Sequence, residues 1–92
     1  MEDKATYIYL GRIGNYDLKV SLPVTENMVE FNISEDYILD IVKKIGAEEF
    51  DKKDIGEELA ISDEDKNCMI ILSVKKDFLG LDYITPREKI NE

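Results

Sequence analysis

Residues 5–22 read Ala5-Thr6-Tyr7-Ile8-Tyr9-Leu10-Gly11-Arg12-Ile13-Gly14-Asn15-Tyr16-Asp17-Leu18-Lys19-Val20-Ser21-Leu22, and this stretch decides the fold class. Two runs rich in tyrosine and branched aliphatic residues flank Gly14-Asn15, a pair that tolerates the positive φ of a two-residue hairpin turn. So short a loop fixes the register. Ile13 faces Tyr16, and Arg12 faces Asp17 in a favourable cross-strand charge pair. With the partners running in step, Tyr7, Tyr9, Gly11 and Ile13 share a face with Leu22, Val20, Leu18 and Tyr16, and that face is the expected core side. Ile8 and Leu10 then fall on the other face beside Ser21 and Lys19. An apolar pair on the outer face of a strand is either covered by the C-terminal segment 78–90 or left for another molecule. Ile8 and Leu10 are therefore candidate interface residues. If the faces are inverted, Tyr7, Tyr9 and Tyr16 form the interface cluster instead.

Working outward, Pro23 ends the second strand because it cannot donate to a ladder. Residues 28–33 alternate, with Val29, Phe31 and Ile33 on one side, which predicts a third strand. The clearest element follows. Ser34 is an N-cap, Glu35 and Asp36 occupy the first turn, Lys43 and Lys44 the last, and Gly46 stands at C′. Tyr37, Ile38, Ile41, Val42 and Ile45 form one apolar stripe, so the helix should lie across the sheet. Residues 47–67 are the most polar part: a short helical or loop segment, a strand at Glu58–Ile61, then a turn at 62–67. Residues 68–75 are apolar on both faces at first and read as a central strand. Phe78–Ile84 is interrupted by Gly80 and stays ambiguous. Thr85-Pro86-Arg87-Glu88 has the form of a capping box, which makes 86–92 a short helix or a frayed tail. The expected fold is α+β in one domain, 1–92. It has a small, mostly antiparallel sheet in β-β-β-α-(β)-β order with one main helix on one face.

Composition narrows the chemistry. The 92 residues suffice for one domain with one modest core. The apolar fraction, 43%, is enough to fold the chain even though 36% of its residues are charged. There is no histidine, which removes the commonest general base and metal ligand. The single cysteine, Cys68, cannot form an internal disulfide, and with no histidine to activate it in an apolar strand it reads as structural. No basic and apolar leader is visible at Met1-Glu2-Asp3-Lys4, and the longest apolar run, Cys68–Leu72, is far shorter than a membrane span. These features predict a cytoplasmic protein, in the host cytoplasm if the chain is viral. Asp63-Glu64-Asp65-Lys66-Asn67 opens like a calcium loop, but Cys68 stands where glycine is needed and Val74 where a bidentate glutamate is needed. No metal or cofactor is expected. Gly11-Arg12-Ile13-Gly14 lacks the spacing of a dinucleotide fingerprint. Asn32-Ile33-Ser34 matches a glycosylation sequon, which has no role in a cytoplasmic setting.

The remaining signal is charge. Twenty-one acids face twelve bases, for a formal charge of −9. Segment 26–42 holds five acids and no base, and 47–67 holds nine acids against three bases. Such acidity is either a solvated surface or a docking surface for a basic partner. On the docking reading the partner-binding residues are Glu48, Glu49, Asp51, Asp54, Glu57, Glu58, Asp63, Glu64 and Asp65. The expected function is a small non-catalytic inhibitor, of the nucleic-acid-mimic or anti-defence kind that phages and mobile elements encode. It would dock on a basic protein such as a nucleic-acid-binding or nuclease complex, without binding nucleic acid or membrane itself. The alternative is an accessory or structural subunit that assembles, as a homodimer for example, through strand edges and the Ile8/Leu10 face.

Overall fold

The computed structural model describes residues 6–87. Its elements are β1 (Tyr7–Ile13), β2 (Tyr16–Ser21), α1 (Leu22–Glu30), α2 (Glu35–Ile45), α3 (Ala47–Asp51), β3 (Glu58–Asp63), β4 (Cys68–Val74) and β5 (Phe78–Pro86). The five strands form one mixed sheet in the order β1-β2-β5-β4-β3. Only β2 and β5 run parallel; the other three pairings are antiparallel. Two hairpins, β1-β2 and β3-β4, thus flank β5, the last of the described strands. Inward side chains of the sheet and of all three helices meet in a single buried cluster. The helices therefore cover one face, and none of the described residues packs across the other. No helix among the described residues is long and apolar enough to cross a membrane.

The hairpin turn and its first three pairs match the expectation: Ile13 faces Tyr16, Arg12 faces Asp17, and Gly11 faces Leu18. Beyond them the register slips by one, so that Tyr9 faces Lys19, Ile8 faces Val20 and Tyr7 faces Ser21. Leu10 is the extra residue of a β-bulge, and a bulge exchanges the faces of everything beyond it. The expected placement of Ile8 and Leu10 away from the core is therefore wrong. Leu10 is only 9% exposed and belongs to the core, while Ile8 lies beside buried Val20 at the core's margin. Tyr7 and Tyr9 instead occupy the uncovered face, but Tyr16, opposite Ile13, stays on the core side against Phe50, so the three tyrosines of the inverted assignment do not form one cluster.

The predicted strand at 28–33 is the end of a helix. Pro23 sits in the first turn of α1, where its missing N–H has no partner to lose. Val24 and Met28, four residues apart, turn inward. Asn32, at φ 58°, takes the left-handed position after the C-cap Phe31. The Ile33 N–H then donates to the Met28 carbonyl and the Asn32 N–H to the Val29 carbonyl, a Schellman closure. The helix α2 forms as read: the Ser34 hydroxyl accepts from the Tyr37 N–H at 3.1 Å, and Ile38 and Val42 are fully buried. The short α3 delivers Phe50 to the core. Strand β4 is central as expected, between β3 and β5. Thr85 and Pro86 end β5 rather than begin a helix, and the rest of the expected C-terminal helix, 88–92, lies outside the described residues.

Candidate binding surface

Eight of the nine acids singled out in 47–67 are exposed. They do not form one patch. Glu48, Glu49 and Asp51 lie on α3, Asp54 and Glu57 follow in the connecting loop, and Glu58 opens β3. Glu64 and Asp65 stand at the far end of β3, about 17 Å away along a strand of this length. Asp63 is buried and already engaged. Its carboxylate accepts the Tyr37 hydroxyl at 2.6 Å and the backbone N–H groups of Asp65 and Lys66 at 3.0 and 3.3 Å, which shapes the β3–β4 turn. Asp51 is tied to the Tyr16 hydroxyl at 2.7 Å, and Glu49 to Lys52 at 3.5 Å.

A second feature lies on the helical side, where Ile8, Leu10 and Val20 of the first hairpin meet α1 and the 31–34 turn. They and Met28, Val29 and Ile33 line a groove of about 270 Å³, with Thr25, Ser34 and Glu35 at its rim. A wider depression of about 460 Å³ shares Met28, Val29, Ile33 and Ser34 and extends to Asn32, Tyr37 and Lys66. The Schellman closure of α1 creates both, because it folds Ile33 back beneath Met28 and leaves Val29 on the outside. Val29 is 81% exposed and Ile8 38%, a large apolar exposure for two neighbouring residues on one groove. Glu26, Glu30, Glu35, Asp36 and Asp40 belong to the same segment, are all exposed, and make no ion pair among the described residues. Sequence reasoning missed Met28 and Val29 as site residues because it placed them on a strand. Pro23, taken as a first-turn proline, was the available signal.

The third cluster sits on the uncovered sheet face. Asp82 is the bulged residue of β5, and its carboxylate accepts the Tyr7 hydroxyl at 2.6 Å and the Ser73 hydroxyl at 2.8 Å, with the Lys75 ammonium at 3.1 Å. Burial opposes ionisation of Asp82, yet the bonds from Tyr7, Ser73 and Lys75 outweigh it and hold the carboxyl below its ordinary value. Burial likewise works against the charge on Lys75, and the carboxylate overrides it, raising the ammonium's pKa. Both shifts favour the charged forms, and the ion pair with its Tyr7 and Ser73 bonds ties β1, β4 and β5 together. The thiol of Cys68 is fully buried; desolvation first, and then the charge of Asp63, push its pKa up, with Lys66 offsetting part. Among the described residues no cluster of three or more acids and cysteine is arranged to hold a metal ion. What the surface offers is shape, apolar area and negative charge. No protein-family model matches this chain, and neither a curated protein nor a solved structure matches it.

Proposed function

We propose that this chain is a non-catalytic binding protein that docks its acidic helical side on a basic surface of a protein partner. The observation that carries the reading is the groove of Ile8, Leu10, Met28, Val29 and Ile33. Its floor is buried apolar core, Ile8 and Val29 are exposed on it, and the segment that supplies Met28, Val29 and Ile33, 20–42, contains five acids and not one base. Apolar area of this kind supplies affinity once water is excluded, and like charge on the same segment, with Glu35 on the groove itself, supplies steering and selects the partner's sign. The exposed acids of α3 and the loop after it extend the negative field toward the hairpin end of the molecule. A basic nucleic-acid-handling protein or nuclease complex, as in an anti-defence inhibitor, is the partner class that this surface suits.

Affinity capture from host lysate at low and high salt, followed by titration with the purified partner, tests the proposal. We expect one basic protein to be retained at low salt, with affinity falling steeply as salt rises. Val29→Lys, at an exposed position, should weaken binding by about tenfold or more by placing a cation where the partner's cations approach. An affinity that stays flat with salt, or that ignores Val29→Lys, sinks the reading.

A further inference from the structure

The two edges of the sheet are not alike. At β1 the bulge at Leu10 breaks the register, a device that keeps an edge from pairing with another chain. At β3 no such device is present. Its residues, Glu58-Leu59-Ala60-Ile61-Ser62-Asp63, pair with β4 without a bulge and include neither proline nor lysine. Because β3 ends the sheet, the N–H and C=O groups of every second residue point away from β4. Among the described residues, no backbone group outside the ladder bonds them. A groove of about 280 Å³ runs beside this edge, with Tyr37, Ile41 and Lys44 of α2 on one bank and Ile61 and Ser62 of β3 on the other. Consecutive strand residues point to opposite faces, so a groove that touches both Ile61 and Ser62 reaches the strand's outer edge. Ile41 and Ile61 are half-buried against the core, which makes its floor apolar. The bond from the Tyr37 hydroxyl to Asp63 closes the end nearest the β3–β4 turn.

The acids that fail to form one patch bracket this edge. Asp54, Glu57 and Glu58 are exposed at the start of β3, and Glu64 and Asp65 at its end, about 17 Å away along the strand. Glu58, Glu64 and Asp65 make no ion pair among the described residues. Lys44 is the base among the residues of the groove, so a cation of the occupant is favoured at the two ends and not over α2. A second copy of β3 does not suit the edge. Antiparallel pairing centred on Ala60-Ile61 sets Glu58 opposite Asp63 and Glu57 opposite Glu64, acid on acid at both ends. We propose that the β3 edge takes an extended segment of a basic protein as a sixth strand. An apolar side chain of that segment enters the groove over Ile41 and Ile61, and lysine or arginine stands at both ends of a stretch of about six residues. Backbone bonds to the edge align the segment, the groove selects an apolar residue at its centre, and the divided acids select cations at the spacing of the strand's two ends. This site shares no lining residue with the groove of Ile8 and Val29, and it stands without the docking proposed there.

Titration of the full chain with a peptide tests this. The probe is Lys-Arg-Thr-Val-Thr-Val-Thr-Arg-Lys with blocked ends. Its comparison is the same peptide N-methylated throughout the central Thr-Val-Thr-Val-Thr, which keeps the charges and side chains but cannot donate to a strand edge. We expect the unmodified peptide to bind and the methylated one to bind about tenfold or more weaker. With the unmodified peptide bound, amide hydrogen exchange should slow at alternate residues of 58–63. Glu64→Gln combined with Asp65→Gln changes exposed side chains only, and should weaken the peptide about tenfold and flatten its salt dependence. Val29→Lys should leave peptide binding unchanged while it weakens docking of the partner at the other groove, so either proposal can fail alone. A peptide that does not bind overturns the added strand. Equal binding of the methylated form, or exchange at 58–63 that the peptide leaves unaltered, overturns it too, and reduces the contact to attraction between a basic peptide and an acidic chain.

Discussion

At the scale of single residues, three tyrosines tie together elements distant in sequence. Tyr7 bonds Asp82, Tyr16 bonds Asp51 and Tyr37 bonds Asp63, at 2.6, 2.7 and 2.6 Å, each joining elements distant in sequence. A phenol that donates to a carboxylate resists losing its proton. The bond to Asp63, followed by burial and by the charges of Asp63 and Asp65, pushes Tyr37 from 10.0 up to about 12. Tyr7 rises chiefly through burial and then Asp82, and Tyr16 through its bond to Asp51. A folded-state pKa above the unfolded one means stability that is complete below 10.0 and is lost as pH rises toward about 12. We therefore expect base-induced unfolding in that window, followed by far-UV circular dichroism. Tyr37→Phe should cost about 1 kcal/mol at neutral pH and make the alkaline loss shallower. An equally steep alkaline loss in Tyr37→Phe would show that this pair does not set it. These pairs were not legible in sequence, because nothing local says which of 21 acids a tyrosine will find.

At the scale of elements, what could be read was what is encoded locally. The Gly14-Asn15 turn, the capped and striped α2, and the apolar β4 each carry their signal within a few residues. What failed depended on fit to distant parts. The bulge at Leu10 turns Leu10 into the core and leaves Tyr9 exposed, and no local signal marks it. Alternation through Val29, Phe31 and Ile33 mimicked a strand, although Val24 and Met28 already had helical spacing. Gly80 made β5 ambiguous, and its reason is visible only once Tyr7 and Lys75 lie across it. The acids were legible as composition, but their division between the two ends of β3 was not. The bulge also makes a sharp prediction. Leu10→Ala should destabilise by about 2–4 kcal/mol, since it empties a core site, while Ile8→Ala should cost less than about 1 kcal/mol. Urea titrations of the two variants check it; equal costs would mean that the register is continuous after all.

At the scale of the whole molecule, the two sides differ in character. The helical side concentrates acid around an apolar groove, and the uncovered sheet side carries Tyr7, Tyr9 and the Lys75–Asp82 pair. Because every element contributes to one buried cluster, neither side has a core of its own. Unfolding followed by tyrosine emission and by far-UV circular dichroism should therefore give coincident transitions. Separated transitions would mean that one hairpin survives without the other. The strand order carries a final consequence, for synthesis. The strand that joins the two hairpins follows both of them in the chain, so a ribosome must read through Phe78–Pro86 before β2 and β4 find their common neighbour. Until then the nascent chain shows two bare strand edges, each ready to pair with whatever other chain is near. A chain truncated upstream of Phe78 should therefore leave both hairpins without their common partner and aggregate rather than fold as a smaller domain.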